Sequence, residues 1–139
     1  FEKPWIMGHS MGGLTVMGIA AAYGRGIKGC VSLNGSGDWL LTHLFLQARF
    51  GCDLGKSWKM YDTVAAAEPM AHINEMCQVP ILMLNGEIDP SIDHRAQKHF
   101  FDTVKEENSR AAMTVYPGLG HFVTTNMMDD AVAWMETVN

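Results

Sequence analysis

Two periodicities alternate along this chain. Short apolar runs that end in glycine-bearing loops mark strands, and longer segments with apolar residues three and four apart mark helices. Pro4-Trp5-Ile6-Met7 is a short apolar run suited to a buried parallel strand. Leu14 to Tyr23 then places Leu14, Met17, Gly18 and Ala21 on one face. The small residues Gly18, Ala20, Ala21 and Ala22 suit a helix packed tightly under a sheet, and Gly24 and Gly26 end it. Ile27 to Leu33 reads as a second strand, followed by the loop Asn34-Gly35-Ser36-Gly37-Asp38. Trp39 to Phe50 is an amphipathic helix, Gly51 to Ser57 a break, and Lys59 to Ala67 a short helix stopped by Glu68-Pro69. Met70 to Cys77 has room for one or two helical turns.

Val79 to Gly86 is the clearest strand, and Ser91 to Asn108 the helix after it, with Ile92, Ala96, His99, Phe100 and Val104 near one face. Ala112 to Tyr116 is a further strand, ended by Pro117-Gly118, and Asn126 to Val138 a terminal helix. The order is β-α-β-(helical insertion)-β-α-β-α. Strands alternating with helices imply the α/β class, an open parallel sheet of about four strands with flanking helices. Residues 38–78 exceed what a simple crossover needs and are expected to form a helical insertion or lid.

Composition narrows the picture. The 139 residues are 47% hydrophobic and 18% charged, as in a globular domain with a sizeable core. A net charge of -5 without a Lys/Arg stripe argues against nucleic acid or an anionic membrane as partner. No apolar run approaches the roughly 20 residues that a membrane helix needs. Cys30, Cys52 and Cys77 are odd in number and widely spaced, which points to free thiols in a reducing cytoplasm rather than to disulfides or a metal site. Eleven methionines are expected mainly as core filler.

Chemistry enters at Gly8-His9-Ser10-Met11-Gly12. G-x-S-x-G between a strand and a helix is a nucleophile elbow, a sharp turn that exposes a serine hydroxyl at the top of a sheet. Gly8 and Gly12 are expected to allow the turn and close helix–strand packing. The backbone N–H of Met11, at a helix start, is the candidate oxyanion donor. Asp89 in Gly86-Glu87-Ile88-Asp89-Pro90 and His121 in Gly118-Leu119-Gly120-His121 each lie just beyond a strand's carboxyl end. That is where catalytic groups gather in open α/β sheets. Ser, acid, His is also the chain order of this class.

Other residues compete for roles. Glu87 and Asp93 flank Asp89, and Asp93 fits the first turn of the next helix, where an acid favours the dipole. His9 suits packing or support within the elbow. His43 and His72 lie in the insertion and could touch substrate; His94 and His99 suit the surface. Asn34, Ser36, Asp38 and Trp39 follow the second strand. Asn34, Ser36 and Trp39 are the candidates for a pocket wall.

Taken together, GHSMGG (8–13), VSLNGSGDW (31–39), PILMLNGEIDP (80–90) and YPGLGHF (116–122) resemble the C-terminal half of α/β-hydrolase-fold serine esterases. The nearest likeness is to dienelactone-hydrolase-like and prolyl-oligopeptidase-like bacterial esterases. The resemblance implies Ser10 as nucleophile, Asp89 as the acid that orients the imidazole, His121 as general base and acid, and neither metal nor organic cofactor. It also implies an acyl-enzyme route on a small-molecule ester, with a peptidase as rival. Such enzymes have strands before the elbow and take a second oxyanion donor from a loop there. The chain, 1–139, is therefore expected to be the C-terminal part of one hydrolase domain. An exposed first strand favours self-association, and a catalytically silent fragment or binding module is the contrasting expectation.

Overall fold

The computed structural model describes residues 2–51 and 58–138. Strand β1 (Trp5–His9) leads into helix α1 (Met11–Tyr23), and β2 (Gly29–Leu33) into α2 (Trp39–Phe50). Helix α3 (Trp58–Ala67), a 3-10 turn (Pro69–His72) and α4 (Ile73–Met76) complete the insertion. Strand β3 (Ile81–Gly86), α5 (His94–Val104), β4 (Ala111–Tyr116) and α6 (Thr125–Thr137) follow. The strands form one parallel sheet in the order β1-β2-β3-β4. This is the open α/β sheet expected from the pattern.

The two central strands are buried throughout, which is why they read as continuous apolar runs. Their side chains alternate between two cores, as the strand period of two requires. Cys30, Ile81 and Met83 face Met17, Ala20, Met76, Phe100 and Val104 on one side. Val31, Leu33, Leu82 and Leu84 face Met127 and Ala131 of α6 on the other. Met17, Met76, Met83 and Met127 are fully buried, so these methionines serve as filler. Cys30 and Cys77 are free, and burial pushes the Cys30 thiol up to about 12.

Helix α2 has the bounds the pattern predicts. Asp38 caps it by accepting the Leu41 N–H, and Gly51 ends it in the left-handed region at φ 65°. The rest of the predicted break, with Cys52, lies outside the described residues. Helix α5 starts later than predicted, at His94 rather than Ser91. Asp89 Oδ1 accepts the Ser91 and Ile92 N–H groups to close a separate turn, and the extended backbone of Asp93, at ψ 119°, parts that turn from the helix. Asp93 then caps α5 through the Arg95 N–H, just outside the first turn.

One expectation about the elbow needs correction. Gly12 has open space where a Cβ would point. The close approach belongs to Gly8, whose added Cβ would lie 2.2 Å from the Gly12 carbonyl oxygen, and to Gly13, at 2.9 Å from Gly35 Cα. The motif's second glycine is one residue short of the helix–sheet contact.

Candidate active site

Ser10 sits at φ 59°, a region few side-chain-bearing residues adopt. Two backbone hydrogen bonds hold it there. Its N–H donates to the Leu33 carbonyl at 2.9 Å, and its carbonyl accepts the Leu14 N–H at 3.1 Å to open α1. The Met11 N–H heads α1 and so has no acceptor within the helix.

The loops after β3 and β4 bring two more groups to the same spot. His121 Nδ1 lies 2.7 Å from Asp89 Oδ2, and Nε2 lies 2.8 Å from Ser10 Oγ. The Asp89 side chain is fully buried and His121's is 24% exposed. An ionised carboxylate only accepts, so Nδ1 carries the ring proton. In the neutral ring that leaves Nε2 as acceptor for the Ser10 hydroxyl. The three residues singled out in the sequence therefore form one hydrogen-bonded chain.

The competitors are occupied elsewhere. Glu87 Oε2 accepts the Gly118 N–H at 2.8 Å, tying the two loops together. Asp93 pairs with Arg95, whose side-chain hydrogen bond holds the Asp93 carboxyl below its usual range. His72 Nε2 meets the Ala66 carbonyl at 2.7 Å. His94 is the first residue of α5 and half-buried.

His9 packs its ring on that of His121, centroids 4.7 Å apart. His9 is exposed overall, but partial desolvation holds its pKa below 6.5, and the nearby His121 lowers it further against an opposing pull from Asp89. As pH falls through 6.5, the unfolded chain takes up a proton at His9 that the folded chain refuses. Stability that is complete above that value is thus lost as pH falls toward the depressed folded value. Urea midpoints at pH 7.5 and pH 5 should therefore differ less in His9→Gln than in the parent chain.

Of the candidate pocket residues, Asn34 and Ser36 are fully buried. Ser36 Oγ is engaged with Asp38, and the Asn34 amide with Gly86 and Phe122. Trp39 does line a cavity of about 630 Å³ between α1, α2 and α3. Met11, next to Ser10, stands at its edge; Leu14, Ile19, Ala22, Leu46 and Val64 make its walls apolar. His43 lines it too, and its buried Nδ1 has no hydrogen-bond partner among the described residues.

The sequence reading missed a cluster beneath α2. Asp38 Oδ2 accepts from His99 Nδ1 at 2.6 Å, and Glu68 Oε1 accepts the Leu40 N–H at 2.9 Å. Burial pushes the Glu68 carboxyl up, and the adjacent Asp38 adds to the rise. Two carboxyls at one helix start suit its dipole. The signal was a lone Glu before Pro69, which reads equally well as a helix stop. Among the described residues no group of three metal-ligating side chains occurs, and no helix is long and apolar enough to cross a membrane.

Solved structures share this architecture. The Thermus thermophilus protein TT1662 superposes with a TM-score of 0.75 at 22% identity over 96% of this chain and 53% of its own. Zea mays acyl-protein thioesterase 2 gives 0.63 at 20% identity over 98% of this chain and 56% of its own. An acylaminoacyl peptidase bound to Z-Gly-Gly-Phe-chloromethyl ketone gives 0.68 at 17% identity over 86% of this chain and 20% of its own. The chain thus spans about half the length of the first two. These superpositions establish the α/β-hydrolase fold. No curated protein matches the sequence. The profile of the prolyl oligopeptidase family matches residues 2–138, nearly the whole length, and the chain belongs to that family.

Proposed function

We propose that this chain carries the reacting groups of a serine acyl hydrolase acting on carboxylic esters. The observation that carries the reading is the Asp89–His121–Ser10 chain of hydrogen bonds, 2.7 and 2.8 Å long, built on a strained serine. Ser10 Oγ attacks the ester carbonyl carbon while its proton passes to His121 Nε2. The carbonyl electron pair moves onto oxygen, where the Met11 N–H and the head of α1 stabilise the charge. Collapse returns that pair, breaks the bond to the alcohol oxygen, and His121 protonates the departing alcohol. Water then gives a proton to His121 and attacks the acyl-Ser10 carbon. The carboxylic acid leaves as Ser10 regains its hydroxyl proton. Asp89 fixes the tautomer of the neutral imidazole and faces the imidazolium that forms at each proton transfer.

The cavity beside Met11 supports an apolar acyl or alcohol group, since about 300–1,000 Å³ is the usual range for small-molecule sites. The insertion 38–78 supplies the α2 and α3 walls and acts as its lid. Filling it with Ala22→Trp should lower kcat/KM for a p-nitrophenyl octanoate about tenfold while sparing the acetate. Paired rates on the two esters check this.

A fluorophosphonate probe tests the reading itself. Mass spectrometry should locate the adduct on Ser10, and Ser10→Ala should abolish it. An unlabelled but demonstrably folded chain would leave a catalytically silent segment instead. A peptidase is the second reading, favoured by the family's name and by the acylaminoacyl peptidase likeness. Matched ester and peptide substrates separate the two.

A further inference from the structure

Resting on the reading of Ser10, His121 and Asp89 as the reacting groups, we propose that Asn34 is a positioning residue that locks the His121 loop to the Asp89 loop. Its side chain is fully buried at the end of β2, with the backbone in the left-handed region at φ 45°. Oδ1 accepts the Gly86 N–H at 2.8 Å, three residues before Asp89. Nδ2 donates to the Phe122 carbonyl at 2.8 Å, one residue after His121. The two partners fix which way the amide faces, because an N–H needs the acceptor and a carbonyl needs the donor.

The neighbouring backbone completes the arrangement. The Asn34 N–H donates to the Leu84 carbonyl at 2.7 Å, and the carbonyl of Leu33 holds the Ser10 N–H at 2.9 Å. One dipeptide at a strand end therefore touches all three loops that meet at the site. Other links join the acid loop to the end of β4 and the loop after it, among them the Glu87 N–H to the Tyr116 carbonyl at 3.0 Å. Glu87 Oε2 accepts from Gly118, and the Ile88 N–H donates to the Leu119 carbonyl at 3.0 Å. These all lie on the N-terminal side of His121. The bond to Phe122 holds the C-terminal side, so the ring-bearing residue is fixed from both directions.

The chemistry selects asparagine at this place. A buried site that must accept from one partner and donate to another suits an amide; aspartate cannot donate and leucine can do neither. Asparagine also tolerates the left-handed backbone better than most residues.

The test compares Asn34→Ala, Asn34→Asp and Asn34→Gly with Asn108→Ala. Asn108 is another buried asparagine, bonded to the Met76 and Val79 carbonyls at 3.0 and 2.7 Å. Two readouts are taken on each folded variant: the fluorophosphonate labelling rate of Ser10, and the low-field proton NMR signal of His121 Nδ1–H. Asn34→Ala and Asn34→Asp should label about 10–100-fold more slowly, the scale of a small misplacement of a reacting group. Their Nδ1–H signal should shift and exchange faster. Asn34→Gly keeps the backbone freedom without either bond, so the same defect there assigns the effect to the amide. Asn108→Ala should keep the parent's labelling rate and signal while losing stability in urea. Asn34 variants that keep the signal and label like Asn108→Ala overturn the proposal. A parent chain that does not label overturns the catalytic reading alone, and the NMR comparison still decides the role of Asn34.

Discussion

Asp89→Asn should slow acylation of Ser10 by about four orders of magnitude. The buried carboxylate accepts from His121 Nδ1 and so keeps Nε2 free to take the serine proton. An asparagine retains an oxygen, which can continue to accept the Ser91 and Ile92 N–H groups that Asp89 Oδ1 now holds at 2.7 and 3.0 Å. Its amide nitrogen then faces the imidazole as a donor. The ring must present a lone pair at Nδ1, and its proton moves to Nε2. There it points at the Ser10 hydroxyl as a donor and can no longer act as base. The second-order rate of fluorophosphonate labelling measures the loss. The urea midpoint should change little, because the turn that Asp89 organises survives. A variant that labels at the parent's rate would remove Asp89 from the mechanism and reopen the case for Glu87.

Gly8→Ala should abolish labelling through the backbone rather than through chemistry. The added methyl would stand 2.2 Å from the Gly12 carbonyl oxygen and 2.4 Å from its carbon, both main-chain atoms that cannot rotate aside. Relief requires the first turn of α1 to move off β1, carrying the Met11 N–H away from the place where the oxyanion would form. Overpacking of this kind costs about 3 kcal/mol, which equilibrium urea unfolding would register. Gly12→Ala is the built-in contrast, since its methyl meets open space. It should keep the parent's urea midpoint. Equal damage from both substitutions would show that the turn tolerates no side chain at either glycine, and that steric contact with Gly12 is not the reason.

The layout of the fold was legible because each strand announces itself twice, by an apolar run and by the glycine-bearing loop after it. Ser10, Asp89 and His121 each follow such a run, so their meeting at one end of the sheet follows from parallel topology. Side-chain direction was less legible. Asn34 and Ser36 are polar residues after a strand, a pattern that equally describes a pocket wall and a buried clamp. The partners that hold them in the fold, the Phe122 carbonyl for Asn34 and Asp38 for Ser36, are set by the tertiary structure and not by the local pattern. The start of α5 is hidden for a related reason. Asp89 closes its own turn on Ser91 and Ile92, and the extended backbone of Asp93 parts that turn from the helix, which apolar spacing does not record. The Glu68 contact with α2 spans the insertion and leaves no periodic trace.

The sequential strand order has a consequence for how the site fails. Ser10 and His121 are 111 residues apart, and each follows an outer strand of the described sheet, the serine β1 and the histidine β4. Edge elements open at lower free energy than the core. Hydrogen exchange should therefore find the β1 and β4 amides released well before those of β2 and β3. Opening of either outer strand parts the nucleophile from its base while the central pair stays closed. Heat or denaturant should extinguish serine reactivity ahead of the global transition, so the gap between the two midpoints reports the local stability of the two outer strands.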